Sequence, residues 1–214
     1  TKSNVQFGEG GAGTFSDGKL NTGVNNPRIG WILEQFVAAG AREDILYDAK
    51  PHVGTDVLLT VVQNLRKRII SLGGEVRFNT QVTGLCSENG RLIGLKIADG
   101  TVIPCDRAVL AIGHSARDTF EMLDASGVPM EPKPFAMGVR IEHRQRDIDT
   151  AQYGGENPAL PPADYKLVEH LDGETVYTFC MCPGGYVVAA ASEEGRVVTN
   201  GMSYADRDGE NANA

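Results

Sequence analysis

Near its start the chain carries Gly8, Gly10, Gly11 and Gly13, followed closely by Ser16, Asp17 and Lys19. Gly8, Gly10 and Gly13 satisfy G-x-G-x-x-G, a spacing that aims backbone amides at a pyrophosphate when it joins a buried strand to a helix. That context is missing. Residues 15–23 hold no apolar helical stripe, and no acidic residue stands about 20 positions on beside a second strand. The segment therefore reads as an amide-rich loop whose glycines permit positive φ and close backbone approach. Asp17-Gly18 also fits a plain turn, with Lys19 solvated. A phosphate-binding enzyme using this loop is the weakest of the readings, because Leu20 follows Gly18-Lys19 where the Mg²⁺-binding Ser or Thr of a P-loop would be.

Other residues with chemical potential give weaker patterns. His52 sits in the turn Pro51-His52-Val53-Gly54, and His114-Ser115 precedes Arg117-Asp118. A histidine titrates near neutrality, but adjacency to Ser115 makes no nucleophile–base pair, and helix capping by Ser115 is the simpler reading. Cys180-Met181-Cys182 is a lone C-x-C without a second pair, which fits small buried thiols in a strand better than zinc or redox work. Alternation places Arg140 and Glu142 on one strand face, as a surface ion pair or a substrate contact. No catalytic acid or base can be singled out, and no metal site is expected.

A length of 214 residues is enough for one large or two small domains, and the 41% hydrophobic and 22% charged fractions are those of an ordinary globular protein. The net charge of −8, with Arg66-Lys67-Arg68 as the densest basic run, argues against nucleic acid as a partner. No apolar run reaches a membrane span, and no signal-peptide pattern is present. Four cysteines without framework spacing fit a reducing cytoplasm. The chain has no initiator Met and begins mid-pattern, which points to an excised piece of a longer protein.

The elements that must position these residues follow from periodicity and punctuation. Residues 29–39 and 56–72 have helical spacing; Thr55 suits an N-cap, and Gly73-Gly74 a stop. Strand patterns cover residues 75–79, 81–87, 91–98 and 101–105, with hairpin turns at Asn89-Gly90 and Asp99-Gly100. Residues 107–113 read as a strand buried on both faces, and 116–125 as a short helix. Three prolines in residues 129–134 suggest a linker. Beyond it the pattern is all-β, with strands expected at 135–143, 166–170, 175–181, 186–191 and 197–202. The polar tail, 203–214, reads as a loop or as an element lacking its partner.

The order helix, Gly-Gly, strand, three-stranded meander, buried strand resembles two-dinucleotide-binding flavoproteins. Gln81-Val82-Thr83-Gly84-Leu85 resembles their adenine-passing stretch, and Leu110-Ala111-Ile112-Gly113 their second flavin-associated turn. The run from Val5 to Leu20, with Pro51 to Asp56, Gly113 to Asp118 and Phe179 to Gly185, is similar to bacterial uncharacterised FAD-dependent dehydrogenases, also described as NAD-utilising dehydrogenases. The resemblance implies a mixed α/β fold: a partial glutathione-reductase-like FAD-binding domain (1–130) joined to a partial antiparallel β-rich substrate domain (131–214). It implies an internal fragment lacking the first Rossmann turn and the last flavin segment, which alone would bind FAD poorly. Gly8, Gly10, Gly11, Gly13, Ser16, Asp17, Lys19, Val82, Ala111 and Gly113 are its implied FAD contacts. Lys19 would hold charge on the reduced ring or pair with an anionic substrate. The implied activity is hydride transfer between FAD and NAD(P)H or an organic small molecule in the cytoplasm. The alternative is a non-catalytic β-rich binding module. Surfaces exposed in a fragment could also drive dimers.

Overall fold

The structure, a computed structural model, describes residues 8–155, 157–191 and 193–214. Val5, Gln6 and Phe7 of the resembling run lie outside the described residues. The fold is mixed α/β, and every strand pairing among the described residues is antiparallel. The chain divides into two compact units, one built from the chain up to Glu75 with Gly138–Ala214, the other from Val76–Met137.

In the first unit, helix α1 (Arg28–Ala38) and helix α2 (Thr55–Ser71) lie where apolar periodicity predicts them. Their apolar faces meet in a core of Ala39, Ala41, Ile45, Val53 and Val61, flanked by Leu33, Phe36, Val57 and Leu65. Val61 is fully buried, a gain of about 1.5–3 kcal/mol relative to exposure. Gly73, at φ +86, ends α2 in a Schellman arrangement: its amide donates to Ile70 O (3.0 Å) and the Gly74 amide to Ile69 O (2.9 Å). The helix starts differently from expectation. Gly54 is the N-cap and makes no side-chain cap, while the Thr55 hydroxyl donates across to the Thr14 carbonyl. A tertiary acceptor has taken the hydroxyl from its local capping role.

The rest of this unit is built from two-stranded pairs. Strand β4 (Glu142–Arg144) pairs with β9 (Asn211–Asn213), β5 (Val168–Leu171) with β6 (Glu174–Tyr177), and β7 (Tyr186–Ala189) with β8 (Thr199–Met202). Two expectations fail here. The strand predicted over 135–143 is confined to β4, and the tail supplies β9, whose Ala212 and Asn213 are fully buried. Helix α4 (Gln145–Tyr153) interrupts the all-β pattern. Its buried Gln145 donates to Asp149 Oδ1 (2.8 Å) and Ala163 O (2.9 Å) and accepts from the Gly184 amide (2.9 Å). Its sequence carries few apolar residues, so tertiary hydrogen bonds hold what hydrophobic content does not announce.

In the second unit, β1 (Val82–Glu88), β2 (Arg91–Ile97) and β3 (Val102–Pro104) form the expected meander. Asn89 (φ 51) and Gly90 (φ 76) make the left-handed turn that joins Glu88 to its partner Arg91. Helix α3 (Arg117–Ala125) packs on β1, and Gln81 Nε2 donates to Asp118 Oδ2 (2.6 Å). Residues 75–79 form no strand. Residues 107–113 also depart from the predicted buried strand: they join no ladder among the described residues, and Val109 is 93% exposed. An apolar run becomes a doubly buried strand only where neighbouring strands and covering layers exist. No described helix is long and apolar enough to cross a membrane.

Candidate functional site

The glycine-rich segment folds into a short 3-10 turn, Gly11–Phe15, entered through Gly10 in the left-handed region (φ 81). The Gly11 amide donates to Gly8 O (3.0 Å), and the Thr14 hydroxyl donates to Gly11 O (3.0 Å). A Cβ at Gly10 would collide with the Thr14 methyl and sit 3.4 Å from Val62 Cγ2. The turn is therefore seated on α2, while Gly8 and Gly10 keep exposed backbone. The chain then runs extended beside the segment before α2. The Leu20 amide donates to Pro51 O (3.0 Å), Val53 to Gly18 O (3.0 Å) and Gly54 to Asp17 O (3.2 Å).

The polar tail closes over this pairing. The Thr55 amide donates to Ser203 O (3.0 Å), the Ala205 amide donates to Asp56 Oδ1 (2.9 Å), and His52 Nε2 lies 3.0 Å from Ala205 O. At Gly54 (φ 82) a side chain would run into the Ala205 backbone. His52 is thus a hydrogen-bonding partner of the tail.

Asp17 is the centre of what the two segments enclose. Its carboxylate accepts a hydrogen bond from the buried Ser203 hydroxyl and a forked pair from Arg207, Nη2 to Oδ2 at 2.6 Å and Nε to Oδ1 at 3.3 Å. Lys19 Nζ stands 3.5 Å from Oδ2. Asp17 is only 3% exposed. Burial alone would raise its pKa; the Arg207 charge, the Ser203 and Arg207 hydrogen bonds and the Lys19 charge outweigh it and hold the carboxyl below its ordinary value. Arg207 takes up positive φ (52), an uncommon conformation for a non-glycine residue.

Lys19 links this carboxylate to a second cluster by donating to the Met181 carbonyl. Beyond Met181, Cys182 and Asn213 exchange backbone hydrogen bonds (2.8 and 3.3 Å). Arg140 Nη1 donates to Asn213 Oδ1 (2.6 Å). Gly201 leaves room for the assembly: a Cβ there would collide with Asn213 Oδ1, meet Arg140 Nη1 at 2.5 Å and lie 3.0 Å from Cys182 Sγ. Asn213 is fully buried, and its Nδ2 has no hydrogen-bond partner among the described residues. Burial pushes the Cys182 thiol up to about 11, so it is a protonated thiol at neutral pH.

Of the residues that sequence reasoning singled out, Gly8, Gly10, Gly11, Gly13, Ser16, Asp17 and Lys19 fall on one continuous segment of the first unit. Val82, Ala111 and Gly113 belong to the second. There Val82 opens β1 opposite Ile97, Ala111 lies in the exposed run, and Gly113 has φ 72 with no atom within 4 Å of a Cβ position. Ser115 does not cap α3; its hydroxyl lies 2.8 Å from His114 Nδ1, and Ala116 is the N-cap. Arg140 does not form the surface ion pair with Glu142 suggested by alternation, because Asn213 draws it inward. Ser203, Arg207 and Asn213 carry no signal of their own in a tail whose composition reads as loop.

A flavin ring is held by backbone amides and by a cation near its pyrimidine end. This donor set fits in kind: Gly8 and Gly10 expose turn backbone, and the Lys19 side chain, 30% exposed, offers the cation.

Residues 134–214 match the family model described as FAD-dependent protein, C-terminal domain-like. The matched stretch carries Arg140, Cys182, Ser203, Arg207 and Asn213. The chain is also 52% identical over 217 residues to a protein of Clostridium beijerinckii whose description reads "Uncharacterized protein". That alignment covers 100% of this chain and 40% of the relative, so the chain spans two fifths of the length of the curated relative it matches.

Proposed function

We propose that this chain is the middle portion of a cytoplasmic flavin-dependent oxidoreductase that passes hydride between FAD and a nicotinamide or an organic small molecule. The observation that carries the reading is the match of residues 134–214 to an FAD-dependent family. It is supported by the placement, in one unit, of an exposed glycine turn and a partly exposed lysine that donates to the Met181 carbonyl beside a buried carboxylate. FAD supplies the redox chemistry when bound. The backbone of Gly8, Gly10, Gly11 and Gly13, with Ser16, would approach it closely, and Lys19 would present positive charge. The Met181 carbonyl holds that lysine, and Asp17, whose oxygens accept from Ser203 and Arg207, lies 3.5 Å from its ammonium. The resemblance extends the contacts to the main chain at Val82, Ala111 and Gly113.

The test is the flavin content of the full-length parent, read by visible absorption and by the mass of the released ligand. Co-purifying FAD that is lost in Gly11→Val supports the reading. A folded, colourless parent that takes up no added FAD sinks it, and leaves the β-rich part to be studied as a binding surface.

A further inference from the structure

We propose that Arg140 and Lys19 form a binding site for the carboxylate of an organic acid. Arg207 is matched by the forked carboxylate of Asp17, and Lys19 shares that carboxylate at 3.5 Å while donating to Met181 O. Arg140 is different. It is half-buried, and its hydrogen bond goes to a neutral amide oxygen, Asn213 Oδ1; it has no carboxylate partner among the described residues. Asp17 supplies one negative charge against three cations, in a chain whose net charge is −8. A partly desolvated guanidinium without an anion is costly, and its planar fork matches a carboxylate in two parallel hydrogen bonds.

Two further facts sharpen the site. Asn213 Nδ2, fully buried and unpartnered among the described residues, adds an unsatisfied donor next to the guanidinium and raises the positive potential there. Gly201 lets the guanidinium and the amide pack this closely, because a Cβ there would collide with Asn213 Oδ1 and meet Arg140 Nη1 at 2.5 Å. A carboxylate suits the site better than a phosphate. One negative charge balances Arg140, whereas a dianion would bring its second charge toward Asp17, already beside Lys19. The proposal rests on the oxidoreductase reading only in making the acid a substrate; carboxylate binding itself does not require flavin.

The experiment is calorimetric titration of the full-length protein with propionate, a monocarboxylate, and separately with inorganic phosphate, at constant ionic strength, alongside its flavin content. Saturable propionate binding is expected, tighter than phosphate, weakened about tenfold or more in Arg140→Gln and in Lys19→Gln, as loss of a charge-assisted hydrogen bond requires. Arg140→Lys, which keeps the charge and loses the fork, should fall between. Absence of saturable binding in the wild-type protein overturns the proposal. So does unchanged propionate affinity in folded Arg140→Gln, or in Arg140→Lys and Lys19→Gln if the first variant does not fold. Phosphate binding tighter than propionate overturns the carboxylate assignment. Propionate binding to a flavin-free protein would leave the site standing and remove the redox reading; flavin without propionate binding would do the reverse.

Discussion

The cluster around Asp17 and the β1–β3 meander are held together by opposite means. In the cluster, segments separated by more than 180 positions meet through side chains: Ser203 and Arg207 reach Asp17, and their partners are buried with them. In the meander, neighbours in sequence are neighbours in space, joined by backbone ladders and tight turns, with mostly half-exposed side chains. The first arrangement stakes its stability on a few charges; the second spreads it over many weak contacts. Failure at one residue should therefore be abrupt in the first and shallow in the second.

The largest effect is expected from Asp17→Asn, which leaves Arg207 and Lys19 without their anion and should cost about 3–5 kcal/mol in urea unfolding. The same variant tests the pH dependence. The folded-state pKa of Asp17 is depressed, so its contribution is complete above the unfolded carboxyl value and is lost as pH falls through the folded one. Wild-type protein should lose stability on acidification across that acid range, and Asp17→Asn should flatten that slope. An unchanged slope would mean the carboxylate does not hold the tail.

Gly54→Ala comes next. Positive φ and the Ala205 backbone both oppose a side chain, and a loss of about 2 kcal/mol is expected in thermal or urea melts. Gly90→Ala in the meander turn is the matched comparison. Its φ is also positive, but no atom lies within 4 Å of the new Cβ, so only the conformational cost of about 1 kcal/mol should appear. Equal losses at the two glycines would erase the steric difference between the regions. The smallest effect belongs to Lys50→Ala. Its 3.0 Å pair with Asp164 is on the surface, with Lys50 71% exposed, and the change should stay within about 0.5 kcal/mol.

The same contrast explains what could be read from the sequence. The meander, α1, α2 and the end of α2 at Gly73 were legible because their signals are local: hairpin dipeptides, apolar periodicity and a C-terminal glycine. Asp17 and Lys19 could be picked out from their glycine-rich setting, but their partners could not. Nothing in Ser203, Arg207 or Asn213 distinguishes a buried strap from a solvated tail until the loop that it covers is known. Thr55 and Ser115 misled for a related reason: a capping residue near a helix start loses that role when a better acceptor or a neighbouring histidine is within reach. Residues 107–113 carry a strand's sequence and lie exposed, because burial on both faces is a property of neighbours.

In the proposed function the parent protein binds FAD, and Lys19, held by the Met181 carbonyl beside Asp17, presents charge to it. The most direct measurement is the reduction potential of the FAD-loaded parent against Lys19→Met, read by spectroscopic titration. Stoichiometric FAD is expected in the wild-type protein and a more negative potential in the variant, since a cation near the ring favours the reduced, more anionic form. A parent that binds no FAD, or one whose potential is the same with and without the lysine charge, would contradict it.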